Sequence, residues 1–76
     1  MTKQDRRIAA MRNNPKTVRP DDLDATLQGA GFVVKRQTGS HKIYSNGPYT
    51  LPVPQQKPHI DPVYVRQAID LIDKVS

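Results

Sequence analysis

The sequence predicts an α+β domain in which a three-stranded antiparallel sheet carries its helices on one face. Between residues 32 and 53, three short stretches rich in β-forming residues are separated by glycine-containing turn signals. On both sides of this region, apolar residues recur at the three- and four-residue spacing of amphipathic helices. Because the helices need only one face of such a sheet, we expect the other face to remain open.

A short helix is predicted near the N-terminus, over residues 3–13. It carries Ile8 and Met11 on one side and arginines around the rest. The prolines that follow predict a connecting loop over residues 13–20.

The second helix is predicted to begin at Pro20, because the aspartates after this proline complement the positive end of a helix. Leu23 and Leu27 recur at helical spacing and should face the core, together with Ala30. The glycines on either side of Ala30 end the helix, since glycine accepts the left-handed cap conformation.

The three strands are predicted to be antiparallel neighbours joined by short turns. They cover residues 32–37, 41–45 and 49–53. Gly39 and Gly47 mark the two turns. Pro52 cannot donate to a strand ladder, which predicts an edge position or an early end for the third strand.

The last helix is predicted to start at Asp61-Pro62 and to run to about residue 74. Asp61 supplies an N-cap acceptor, and proline is favoured at the first helical position. The core-facing stripe of this helix has the spacing i, i+4, i+7 and consists of Val65, Ile69 and Ile72.

Composition limits the classes of protein and site. The 76 residues suffice for one domain with a small core. The chain contains no cysteine, which excludes disulfides and thiolate metal sites. No apolar run approaches the roughly 20 residues that cross a bilayer, and the N-terminal residues lack the apolar core of a signal peptide. We therefore expect a cytoplasmic protein.

The charge distribution indicates an anionic ligand or partner. The net charge is +5, and all seven acidic residues are aspartates. None of them lies between Asp24 and Asp61, although this interval carries four cations. These cations are Lys35, Arg36, Lys42 and Lys57. Such a region favours a polyanion or an acidic protein, and the alternative is a set of ordinary solvated side chains.

His41, at the start of the second strand, is the candidate catalytic residue. Imidazole is the one side chain that ordinarily exchanges a proton near neutral pH. RNA cleavage needs a base for the 2′-hydroxyl and cations for the charge that develops on phosphorus. His41 could act as that base or as the acid, while Lys35, Arg36 and Lys42 stabilise the phosphorane. The alternative is a surface or packing histidine.

Other residues are weaker candidates for RNA binding. Ser40 could donate a hydrogen bond to a phosphate oxygen, and Gly39 would let the RNA backbone approach closely. Lys57 and His59 precede the last helix, where a phosphate could bind, although His59 is most simply a loop residue. Tyr44 could stack on a base from the open face or simply cover the sheet.

The sequence predicts no metal or cofactor. Two histidines without nearby acidic or thiol side chains fall short of the three or four ligands that zinc prefers. No aspartate lies near His41 along the chain, so a Ser-His-Asp arrangement is not indicated either.

Part of the chain resembles HicA-type toxins. The resemblance covers residues 21–74 and is most specific over residues 31–44. It is carried by Gly31-Phe32, Lys35-Arg36-Gln37 and Gly39-Ser40-His41, followed by a hairpin and a Val-Pro segment. It implies a double-stranded-RNA-binding-like fold and a ribonuclease that cleaves mRNA, in which His41 occupies the position of the essential histidine. It also implies a HicB-type antitoxin that covers the active face, often through acidic contacts.

The chain departs from this pattern in two places. Residues 1–19 extend beyond the family core, so that we expect a single domain over residues 1–76 with a core over residues 20–76. Members often carry a histidine soon after the third strand, whereas here the next histidine is His59.

Three functions follow from these observations. The leading hypothesis is a metal-independent endoribonuclease that cleaves mRNA with His41 and is neutralised by a cognate antitoxin. The second is a non-catalytic RNA-binding module of the same fold. The third is a basic domain that only docks an acidic protein partner.

Overall fold

The predicted α+β architecture is confirmed. A computed structural model describes residues 2–75. The helices are α1 (Lys3–Asn13), α2 (Pro20–Gly29) and α3 (Pro62–Val75), with a 3₁₀ turn at Pro15–Thr17. The strands are β1 (Val33–Thr38), β2 (His41–Asn46) and β3 (Tyr49–Pro54). The connection predicted as a plain loop over residues 13–20 therefore contains a turn of 3₁₀ helix.

The sheet is antiparallel, with the order β1-β2-β3. His41, at the start of the central strand, pairs with Thr38 on one side and with Pro54 on the other. β3 is an edge strand, as Pro52 predicted, and its prolines need no donor on the outer edge.

The first strand begins one residue later than predicted because Phe32 still belongs to the end of α2. The backbone N–H of Phe32 donates to Leu27 O over 3.0 Å, and that of Gly31 donates to Gln28 O over 3.0 Å. Gly31 has φ = +94°, so these bonds form the Schellman arrangement that closes a helix. Phe32 and Leu27 are both buried, which fixes the direction in which β1 leaves the helix.

The core lies between one face of the sheet and the helices. Tyr44, Leu51 and Val53 contribute side chains from the sheet. The buried helical residues include those predicted from the apolar spacing, namely Leu23, Leu27, Val65, Ile69 and Ile72, whereas Ala30 is only partly buried. This face of the sheet is therefore unavailable to a ligand, and a binding site must lie on the open face or at an end of the domain.

β1 differs from the other strands because each of its six residues is exposed. Val33 and Val34 keep 61% and 39% of their surface in contact with solvent. The strand is hydrogen-bonded to β2 on one side and is an edge of the sheet on the other. It thus leaves apolar and cationic side chains uncovered.

The N-terminal helix packs on the other helices. Met11 is buried in the common core. The Gln4 side chain donates to Thr26 O over 2.7 Å, and the Arg12 guanidinium pairs with Asp73 on α3 at 2.5 Å. α1 therefore extends the helical layer and leaves the open face of the sheet uncovered.

Candidate functional site

His41 lies on the open face of the sheet. Successive residues of a strand point to opposite faces, and Tyr44 points into the helical layer. The odd-numbered residues of β2, His41, Ile43 and Ser45, therefore face away from the helices. The His41 side chain is exposed, so its imidazole can meet a large ligand.

The corner before His41 is built from Gly39 and Ser40. Gly39 has φ = +55°, and a side chain placed there would meet no atom within 4 Å, so glycine is favoured here by backbone conformation alone. The Ser40 carbonyl accepts a hydrogen bond from the Gln55 N–H over 2.6 Å. This bond holds the β1–β2 corner against the end of β3.

A β-bulge brings Arg36 to the same face as His41. Val34 pairs with Tyr44 and Arg36 pairs with Ile43, so Lys35 is an extra residue between the two pairs. Directly paired residues of an antiparallel sheet point to the same face. Arg36 therefore shares the open face with Ile43, whereas simple alternation from Val34 would have turned it toward the helices.

Lys35 and Arg36 are free to meet an anion. Both side chains are exposed, and within residues 2–75 neither forms an ion pair. Together with His41, they place two positive charges and an imidazole at one corner of the open sheet.

Lys42 lies on the opposite face from His41. Its Nζ atom is 3.8 Å from Asp24 Oδ1 on α2. Lys42 was predicted to stabilise the phosphorane beside His41, but the structure separates these two side chains across the sheet. The period-2 alternation of a strand was the signal that could have shown this separation.

Asp24 is a polar residue of this region that no sequence motif indicated. It accepts hydrogen bonds from the Tyr44 hydroxyl over 2.5 Å and from the Gln28 side chain over 2.8 Å, in addition to the ion pair with Lys42. The Gln28 contact has the i, i+4 spacing of a helix and could be read from the sequence. The contact with Tyr44 joins residues 20 positions apart, and no local pattern indicates it.

Tyr44 is not available for stacking on a base. Its ring is fully buried beneath the helices. This burial excludes the prediction that Tyr44 stacks on a base from the open face. Burial raises the pKa of the Tyr44 phenol well above its usual value, and the hydrogen bond to Asp24 and the charge of this carboxylate raise it further. Tyr44 therefore joins β2 to α2 as a neutral donor.

Lys57 and His59 lie in the segment between β3 and α3. Lys57 is exposed and His59 is half-buried. Two hydrogen bonds hold the segment: the Ile60 N–H donates to Val18 O over 2.8 Å, and the Asp61 N–H donates to Gln56 Oε1 over 3.0 Å. The segment leaves β3 next to His41, so it begins at the same end of the domain as the Gly39-Ser40 corner.

Metal-ligand side chains do not converge in the part of the chain that the structure describes. Within residues 2–75, no three His, Asp or Glu side chains come together as a metal site would require. No helix of the same residues is long and apolar enough to span a membrane.

The fold and the site together define a class of protein. The domain has the α-β-β-β-α arrangement of double-stranded-RNA-binding-like proteins, and it presents an exposed histidine beside unpaired cations on an open sheet. Residues 20–73 match the family model of the HicA toxin of bacterial toxin–antitoxin systems. This match covers well over half of the chain, and the chain belongs to the HicA toxin family. No curated protein and no solved structure matches the chain.

Family membership carries a function at a coarse level. HicA toxins are RNA-cleaving toxins whose family implies an RNA substrate and an antitoxin partner. The match includes the Gly39-Ser40-His41 corner and both flanking strands. It begins after α1 and the 3₁₀ turn, which lie outside the matched residues.

Proposed function

We propose that this protein is a metal-independent endoribonuclease that cleaves mRNA, with His41 as an acid–base group. The observation that carries the proposal is the exposure of His41 at the first position of the central strand, on the open face that Arg36 shares. A polyanion can reach this imidazole without any movement of the helices, and the nearest exposed cations have no competing ion pair within residues 2–75.

The proposed reaction is an internal transesterification of the RNA. The 2′-oxygen forms a bond to the adjacent phosphorus as the bond from phosphorus to the 5′-oxygen breaks. One proton leaves the 2′-hydroxyl and one joins the departing 5′-oxygen, which leaves a 2′,3′-cyclic phosphate. His41 makes one of these two transfers.

The surrounding residues bind the reacting phosphate. Arg36 and Lys35 stabilise the charge that develops on the phosphorane oxygens, and Ser40 donates a hydrogen bond to one of these oxygens. Gly39 keeps the corner free of a side chain, so that the sugar–phosphate chain can approach the backbone. Lys42 takes no part in binding this phosphate, because its side chain points to the covered face and pairs with Asp24.

We also propose that an acidic antitoxin of the HicB type neutralises the toxin by covering the open face. The exposed β1 strand supports this proposal. Val33, which pairs with Ser45 on the open face, offers apolar surface there, while Lys35 and Arg36 offer charge complementary to an acidic partner. An antitoxin that covers this strand would also block access to His41.

The test is RNA cleavage by the wild type, by His41→Ala and by Thr50→Ala, with and without EDTA. Thr50 is exposed and pairs with Ser45, toward the far end of the open face, so its loss should leave cleavage intact. We expect the wild type and Thr50→Ala to cut RNA in EDTA and His41→Ala to be inactive with an unchanged unfolding transition. Cleavage by His41→Ala would refute the catalytic role. RNA binding without cleavage by the wild type would favour the RNA-binding module.

A further inference from the structure

A groove at the end of the domain brings together two cations from distant parts of the chain. It measures about 510 Å³ and is lined by Arg19, Pro20, Asp21, Lys57 and Pro58. The Arg19 and Lys57 side chains are both exposed, and within residues 2–75 neither has an ion-pair or hydrogen-bond partner. Asp21 is the one carboxylate among the lining residues, so that the groove keeps a net positive charge.

The position of Arg19 is determined by packing of the N-terminal extension. Val18 is buried, and its carbonyl accepts the hydrogen bond from the Ile60 N–H over 2.8 Å. This bond joins the residue before Arg19 to a residue shortly after Lys57. The two cations are thus held near each other by the fold, even though they are far apart in the sequence.

The groove lies at the same end of the domain as His41. β1 ends at the Gly39-Ser40 corner, directly before His41. β3 ends opposite His41, and the segment that carries Lys57 continues from there. The hydrogen bond from the Gln55 N–H to Ser40 O joins this segment to the corner itself.

We infer that the Arg19–Lys57 groove binds a second phosphate of the RNA strand whose reacting phosphate lies at His41. The inference rests on the proposed function. It adds a binding site to which the extension, outside the family core, contributes Arg19. Because this phosphate is remote from the breaking bond, the groove contributes equally to binding of the substrate and of the transition state.

The experiment measures binding of labelled single-stranded RNA of mixed sequence over a range of salt concentrations, on a His41→Ala background that prevents cleavage. Arg19→Ala and Lys57→Ala should each weaken binding several-fold and lower the slope of log K against log salt by about 0.7, the value for one lost phosphate contact with a single strand. Asp21→Asn should have the opposite effect on the affinity for RNA and tighten binding, because it removes the one negative charge among the residues that line the groove.

Two controls separate the groove from net charge. Lys74→Ala removes one positive charge at the C-terminal end of α3, about 20 Å from the N-terminus of this 14-residue helix. Asp70→Asn removes one negative charge outside the groove and is the control for Asp21→Asn. Neither should change the slope by more than a small fraction of that amount. With His41 present, Arg19→Ala should raise KM for a long RNA and leave kcat unchanged.

The outcomes distinguish the groove from the catalytic proposal. If the slope of log K against log salt is the same for Arg19→Ala, Lys57→Ala and Lys74→Ala, the role of the groove in RNA binding is refuted, while the role of His41 stands. If RNA binds and the groove variants behave as expected but the protein with His41 does not cleave, the catalytic proposal fails and the groove stands. If no RNA binds at low salt, both fail.

Discussion

The Tyr44 hydroxyl on β2 donates a hydrogen bond to Asp24 Oδ1 on α2 over 2.5 Å. This hydrogen bond joins the central strand to the helix packed beneath it. His41 is the first residue of the same strand. Asp24 also lies 3.8 Å from Lys42 Nζ, so one carboxylate organises two residues on the covered face while His41 points the other way. The covered face of β2 thus supports the fold, and the open face presents the exposed His41 side chain.

Removal of the Tyr44 hydroxyl should reduce stability without affecting cleavage. We expect Tyr44→Phe to lower the free energy of unfolding by about 1–2 kcal/mol, because a buried hydrogen bond to a charged acceptor is lost while the ring still fills the core. Urea unfolding and RNA cleavage at a temperature well below the transition measure the two effects. A large loss of kcat in a fully folded Tyr44→Phe would show that the open face depends on this bond.

The same residue should make stability depend on alkaline pH. The folded state raises the pKa of Tyr44 above that of the unfolded chain, so its contribution is complete below the unfolded value of about 10 and is lost progressively as the pH rises above it. The free energy of unfolding of the wild type should therefore fall more steeply above about pH 10 than that of Tyr44→Phe. Parallel curves for the two proteins would contradict this linkage.

Arg36 and Lys42 should differ in their importance for RNA cleavage. Arg36→Ala removes a charge from the face that His41 shares, and we expect kcat to fall roughly tenfold or more. Lys42→Ala removes the same charge from the covered face, where Asp24 already offsets it, and should have a clearly smaller effect. Steady-state cleavage of one RNA by the two variants makes the comparison, and an equal or larger loss in Lys42→Ala would contradict the assignment of faces.

Gly39 should be replaceable only at the expense of backbone strain. Gly39→Ala should destabilise the protein by about 1–2 kcal/mol, since the left-handed conformation is costly for alanine and nothing else near this position would be displaced. Gly39→Asn should cost less, because asparagine tolerates this conformation. Chemical denaturation of the two variants provides the measurement, and equal stability of alanine and glycine would show that the turn adopts another conformation in solution.

The N-terminal extension should contribute to stability through Met11. We expect Met11→Ala to lower the free energy of unfolding by about 2–5 kcal/mol, because this side chain is only 3% exposed and its loss leaves a cavity. Ile8→Ala, at a partly buried position on the same helix, should cost less. Thermal or urea unfolding measures these changes. If both variants had the same free energy of unfolding as the wild type, α1 would not pack on the core.

Local patterns were sufficient for the helices, the strands and the exposed corner. Apolar spacing identified the buried residues of α2 and α3. The Asp61 cap was correct in atomic detail, since Asp61 Oδ1 accepts from the Val63 N–H over 2.9 Å. Such features depend on residues a few positions apart, so the sequence contains all the information that they require. The open face and the three-stranded sheet followed from the order of these elements.

The face on which Arg36 lies was decided by tertiary structure. The bulge at Lys35 turns Arg36 toward His41, and nothing in the Val-Val-Lys-Arg run marks the extra residue. Strand register is determined by how β1 meets its neighbour along the whole edge, which a local pattern does not encode.

The sequence by itself determined the class of fold, the turn that precedes His41 and the basic character of the region around it, because local propensity and charge are properties of neighbouring residues. Only the tertiary structure placed Tyr44 in the core with Asp24 and brought Arg19 beside Lys57. Those relationships join residues that are distant in the chain, and they arise when burial of the common core selects one arrangement of helices on the sheet.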